Sequence, residues 1–344
     1  MSKSTAPQEA LDSVNHTPAT APMNGGGFWC KFQRCLGFNA RYNLILWIFF
    51  GSVMFGFATA RLGFLDLGPN GMFCKQAGPG ECFWLGDKLY KIGMYLHLAC
   101  ILPCSLIAVF QFMPAIRHKA LLVHRINGYL VLLLLIGGVT GALIITRHAF
   151  GGEVSTQVVS GTVSVATLVS AFLAYYNIKR LQIDQHRKWM LRTMFYMGSI
   201  ITTRLFMGIG LGIIGSSQKY DTVWDCDQLM WTAKAEDVAT FYPECLGNGT
   251  GRVVVPASFD RAETVGSILR LSFGVGFWLA FVVHAFGIEV YIRLTAGESE
   301  RLRRVSYERQ VEAGITPAGS AGTTSDRLGD RRKWTPLATA DGDF

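Results

Sequence analysis

Residues 124–145 read HRINGYLVLLLLIGGVTGALII, and this stretch decides the fold. From Gly128 to Ile145 it runs for eighteen residues without a charge. A helix rises about 1.5 Å per residue, so this run covers about 27 Å, close to the roughly 30 Å hydrocarbon core of a bilayer. Five further runs share its character: 43–60, 90–112, 154–176, 191–214 and 265–294. In hydrocarbon every backbone N–H and C=O must be paired inside the protein, and a helix pairs its own. The expected fold is therefore an all-α membrane protein with six transmembrane helices forming a bundle.

Composition agrees. Half of the 344 residues are hydrophobic, only 16% are charged, and mean hydropathy is +0.29. A soluble domain carries about a quarter charged residues. The net charge of +8 matters less than its placement. Segments 28–42, 113–126, 177–192 and 293–309 hold 16 Lys and Arg in 62 positions, whereas 61–91, 146–153 and 215–264 hold 9 in 89. Basic loops stay in the cytosol. The first set is thus expected on the cytosolic side, with the N- and C-termini both cytosolic, as six spans require. The expected partner is the lipid bilayer and not nucleic acid, and the expected location is the endomembrane system or the plasma membrane.

The cysteines fit this topology. Cys74 and Cys82 share one non-cytosolic loop, and Cys226 and Cys245 share another. Four cysteines allow three connectivities, of which the local pairs Cys74–Cys82 and Cys226–Cys245 are simplest. An oxidising compartment permits both. Asn248-Gly249-Thr250 is a glycosylation sequon in the same long loop, whereas Asn15-His16-Thr17 falls on the cytosolic side and should stay bare.

The chain divides accordingly. Residues 1–27 are expected to form a disordered cytosolic tail, 43–60 the first span, and 90–214 a core four-helix module. Residues 215–264 form a disulfide-tied loop, 265–294 the sixth span, and 295–344 a largely disordered cytosolic tail. Gly137 and Gly141 in the third span, and Gly208 and Gly212 in the fifth, have the spacing that lets helices approach closely in lipid. Ser160, Ser164, Thr167 and Ser170 make a small polar stripe on the fourth.

Polar groups within spans are the candidates for function. His124-Arg125 and His186-Arg187 stand at the cytosolic interface of two spans. From the cytosolic ends, His97 lies about 24 Å deep, Arg204 about 21 Å and His284 about 15 Å. No acidic residue lies deep in spans one to five, so Arg204 is expected to meet backbone carbonyls, water or a bound anion. His186, Met190, Thr193, Met197 and Arg204 share one helix face.

One reading is a haem b electron-transfer or oxidoreductase module with a redox partner. His124 and His186 are then axial iron ligands, and His97 is a second-site ligand with His284 as its nearest counterpart. Arg125, Arg187 and Arg204 pair with anionic groups such as propionates. The fourth span has no histidine, which departs from two ligand pairs on four successive helices. The other reading is a cofactor-free transporter or binding protein for a small anion or lipid-soluble compound, or a membrane accessory protein of a biosynthetic pathway. The plainest reading makes the His-Arg pairs interfacial anchors, with Arg reaching the headgroups and Trp189 in the aromatic belt. The chain has no HExxH, GxSxG, Walker or Cys-x-x-Cys motif, and no catalytic residue is assigned.

His97, Gln111-Phe112, His124-Arg125-x-x-Gly128, His186-Arg187-x-Trp189-Met190-x-Arg192 and Thr203-Arg204 together resemble a family of predicted polytopic membrane proteins with a domain of unknown function. The resemblance covers about 90–214, and the sequon and paired-cysteine loops look like those of a fungal member. It implies that these residues belong to one recurring module, and it implies no reaction.

Overall fold

The computed structural model describes residues 28–247 and 251–336. The chain is a multi-pass integral membrane protein with six spanning helices: α1 (Arg41–Ala60), α2 (Lys88–Gln111), α3 (Leu121–Ile145), α4 (Val154–Lys179), α5 (Ile183–Ser217) and α6 (Ala262–Leu294). A further helix, α7 (Ala296–Glu312), follows at the surface. The sequons at Asn15 and Asn248, the 1–27 tail and residues 337–344 lie outside the described residues.

Local chemistry sets the helix ends. Asp87 caps α2, its side chain accepting from Tyr90 N at 2.9 Å. Thr264 Oγ1 accepts from Arg261 N at 3.0 Å at the start of α6. Leu181, with φ +54°, turns the chain sharply between α4 and α5. Helices α3 and α5 begin well before their apolar runs, at Leu121 and Ile183. Both His-Arg pairs therefore sit in first helical turns rather than in loops.

Helices α2 and α3 form one tight pair, and α4 and α6 both pack along α5, which is central. Gly141 makes the first pairing close, because a Cβ there would run into the His97 backbone. Gly208 and Gly212 have open space around them, so that spacing in α5 is not a packing motif. Ser164, Thr167 and Ser170 are buried, and Ser170 Oγ accepts from Thr193 Oγ1 at 2.9 Å between α4 and α5. Cys104, Ala108, Val131, Leu135, Val139, Ala171, Met194 and Met197 fill the centre of α2–α5.

One end carries a cap built from residues 61–87, 218–247 and 251–261. Both expected disulfides are formed there, Cys74–Cys82 and Cys226–Cys245. Strands β1 (Asp221–Asp225) and β2 (Arg252–Pro256) pair antiparallel, with Trp224 opposite Val253. Arg270 of α6 ties the cap down. Its guanidinium lies 3.4 Å from the Trp224 ring centroid, and Nη2 donates to Gln228 Oε1 at 2.8 Å. Gln228 Nε2 donates in turn to Gly80 O at 3.0 Å.

The opposite end holds both His-Arg pairs, and the described terminal segments meet the bundle there. The charged stretch from Glu298 to Gln310, a candidate continuation of the last helix, lies in α7, and residues 313–336 fold back over the α4–α5 turn. Side-chain amides hold this strap. Gln310 Oε1 accepts from Gly319 N at 2.6 Å, Gln182 Oε1 from Gly322 N at 3.1 Å, and Asn177 Oδ1 from Thr323 N at 2.8 Å. Trp189 Nε1 donates to Thr323 Oγ1 at 3.1 Å. The strap has few apolar residues to bury, so hydrogen bonds to backbone carry the ordering.

Candidate functional site: two polar stations along α5

At the basic end the short helix Pro114–Lys119 packs on α3, and α7 packs on α5. Arg117 comes from the short helix Pro114–Lys119, His124 from α3, His186 and Arg187 from α5, and Glu298 and Arg301 from α7. Arg117 is an electrostatic neighbour of His124, His186, Arg187, Glu298 and Arg301. Burial lowers the Arg117 guanidinium from its usual range; Glu298 opposes this, and Arg301 and Arg187 add to it. Glu298 is already held by Arg301 through two contacts of 2.8 Å.

His186 Nδ1 donates to Ala174 O at 2.9 Å. Arg187 Nη2 donates to Thr295 Oγ1 at 3.2 Å, and the guanidinium lies 5.7 Å from the Tyr291 ring centroid. Two atoms have no hydrogen-bond partner although fully buried, His124 Nδ1 and Arg187 Nη1. Arg125 is exposed. Arg192, two turns further along α5, makes a bidentate pair with Glu289 of α6 at 2.6 and 3.0 Å.

The second station lies in the cap-side half. Arg204 is exposed on the flank of α5. Its Nη1 approaches Met207 Sδ at 3.6 Å, and its guanidinium stands 5.7 Å from the ring centroids of both Phe150 and Phe273. Those two rings stack on each other at 3.8 Å. Phe150 reaches inward because it adopts φ +49° in the α3–α4 turn. Glu81 anchors that turn, Oε2 accepting from Phe150 N at 3.0 Å. Burial pushes the Glu81 carboxyl up to about 7, against the lowering effects of this bond and of Arg270.

His186 and Arg204 lie at opposite ends of their shared face, and Met190 and Met197 between them join the apolar centre. His97 Nδ1 donates to Gly138 O at 2.8 Å, joining α2 to α3. His284 uses both ring nitrogens, Nδ1 donating to Phe195 O at 2.7 Å and Nε2 accepting from Thr202 Oγ1 at 2.8 Å. Both ring nitrogens of His284 are thus engaged with α5, whereas His97 Nε2 makes no hydrogen bond among the described residues. His186 keeps Nε2, and His124 both ring nitrogens, without a partner among the described residues.

Several site residues escaped the sequence reading. Arg117, Glu298 and Arg301 sit in charge-rich segments that look solvated. Glu289 was legible as the acidic residue inside a span, but its partner Arg192 lies 97 positions away. Glu81 carried no signal in its loop.

Residues 94–232 match the sequence model of a family described as "Predicted membrane protein (DUF2306)". His97, His124, His186 and Arg204 fall inside the matched range, and His284 falls outside it. A curated relative, "Ava biosynthesis cluster protein G" of Aspergillus versicolor, is 22% identical over 312 residues, covering 75% of this chain and 90% of that protein. No solved structure matches. The helical core that carries both stations is thus similar to a family of predicted membrane proteins.

Proposed function

We propose that this chain is a cofactor-free membrane binding protein, an accessory of a biosynthetic pathway, that holds a lipid-soluble compound bearing an anionic oxygen. Arg204 carries the reading. A charged side chain within a span is costly and marks a functional site by default. Its guanidinium meets a sulfur and two aromatic rings but no oxygen acceptor among the described residues. The neighbouring carboxylate, Glu81, is engaged with the backbone of the α3–α4 turn. Stacked Phe150 and Phe273 offer an apolar compound a ring surface, and Arg204 offers its carboxylate, enolate or phenolate a forked donor. The A. versicolor relative, whose printed name places it in a biosynthesis cluster, supports the accessory role. The disulfides at the cap and the basic residues at the opposite end support placing the basic end in the cytosol.

The test compares wild type, Arg204→Ala and Arg204→Lys purified from their native membrane, with organic extracts analysed by mass spectrometry. The reading expects a compound retained by wild type and absent from Arg204→Ala. Equal retention, in variants that stay monodisperse, overturns it.

A second reading keeps His124 and His186 as axial ligands of haem b. It is favoured by their partner-free ring nitrogens and by the His186 Nδ1 bond to Ala174 O, the kind of contact that orients a ligating imidazole. Iron content and the visible spectrum decide between the two.

A further inference from the structure

We infer that the basic end is a second, separate site that binds a phosphate dianion between Arg117, Arg187 and the His124 imidazole. It stands apart from the Arg204 proposal, because residues 187 and 204 are separated by about 25 Å of helix.

The first argument is charge. Arg117, Arg187 and Arg301 face a single carboxylate, Glu298, and both Glu298 oxygens are taken by Arg301. Two guanidiniums are left uncompensated, which matches a dianion. The Arg117 side chain makes no hydrogen bond among the described residues and is an electrostatic neighbour of His124 on α3 and His186 on α5.

The second argument is satisfaction. Buried donors nearly always have partners. Arg187 uses Nη2 on Thr295, yet its buried Nη1 has no partner. His124 Nδ1, in the same cluster, is also buried and without one. His124, as its Nδ1–H tautomer, and Arg187 thus present unspent donors from two different helices, with Arg117 supplying a third direction. A planar carboxylate satisfies one fork, whereas a tetrahedral phosphate offers oxygens in several directions.

The shared chemistry is a terminal phosphate, either on a soluble phosphate ester or on a lipid headgroup. Isothermal titration calorimetry on the full-length protein in neutral detergent, with inorganic phosphate and pyrophosphate, probes the soluble source. Nanodiscs of phosphatidylcholine with or without phosphatidic acid probe the lipid source, phosphatidylglycerol discs controlling for charge alone. Wild type and the cap variant Arg252→Gln are expected to bind at least one phosphate probe. Arg187→Lys, which keeps the charge but loses the fork, and Arg117→Gln are each expected to lose about tenfold or more in affinity. Arg117→Lys replaces Arg117→Gln if the latter is not monodisperse. Binding only to phosphatidic acid discs assigns the lipid source, and binding of free phosphate or pyrophosphate assigns the soluble one. Undiminished affinity in either arginine variant, equal binding to phosphatidylglycerol, or binding to none of the probes overturns the site.

Discussion

Glu81→Gln should remove a pH dependence that wild type carries at the cap. Glu81 is 7% exposed, anchors the α3–α4 turn at Phe150 N, and has its carboxyl raised from 4.5 to about 7, chiefly by burial. A group that holds its proton more tightly when folded stabilises the fold most below its unfolded value. Stability therefore falls as pH rises from 4.5 to about 7 and is level above that. At about 1.4 kcal/mol per pH unit, the gap is worth about 3 kcal/mol. His118 and His148, both lowered mainly by burial, act in the opposite direction in part of this window, so the difference between wild type and variant isolates Glu81. Gln keeps a carbonyl acceptor for Phe150 N and does not titrate. Thermal unfolding in detergent, followed by tryptophan fluorescence from pH 5 to 8, should show wild type losing stability relative to Glu81→Gln. Parallel curves across that range would refute the reasoning.

Gly141→Ala should cost about 1–3 kcal/mol by driving a methyl into the His97 backbone, read as a lowered melting temperature. Gln182→Leu strands Gly322 N, while Gln310 Nε2 keeps Arg180 O, so it should cost about 1–3 kcal/mol; faster tryptic cleavage at Arg327 and Arg331 should report release of the strap. Glu289→Gln should destabilise by about 1–3 kcal/mol because Arg192 is left within the bundle, and Arg192→Gln in that background should cost much less than in wild type.

The six spans were legible because hydrocarbon demands long, predominantly apolar runs, and the disulfides because each pair shares a loop. The starts of α3 and α5 were not, since polar residues can extend a helix beyond the lipid, as Leu121–Asn127 and Ile183–Met190 do. The strap was hidden for another reason. Its order rests on Asn177, Gln182 and Gln310 binding backbone far along the chain, and hydropathy does not report that. The histidines stand out in the sequence as polar groups in spans. Their company was not predictable, because His97 Nδ1 and both nitrogens of His284 bond to neighbouring helices, whereas His124 has Arg117 and His186 from other elements as electrostatic neighbours.

The most direct test of a cofactor-free binding protein is the visible absorption spectrum, oxidised and reduced, of protein purified in mild detergent, with iron measured on the same sample. The account predicts no Soret band and no stoichiometric iron. A Soret band that shifts on reduction, with about one iron per chain and loss of both in His186→Ala, would contradict it.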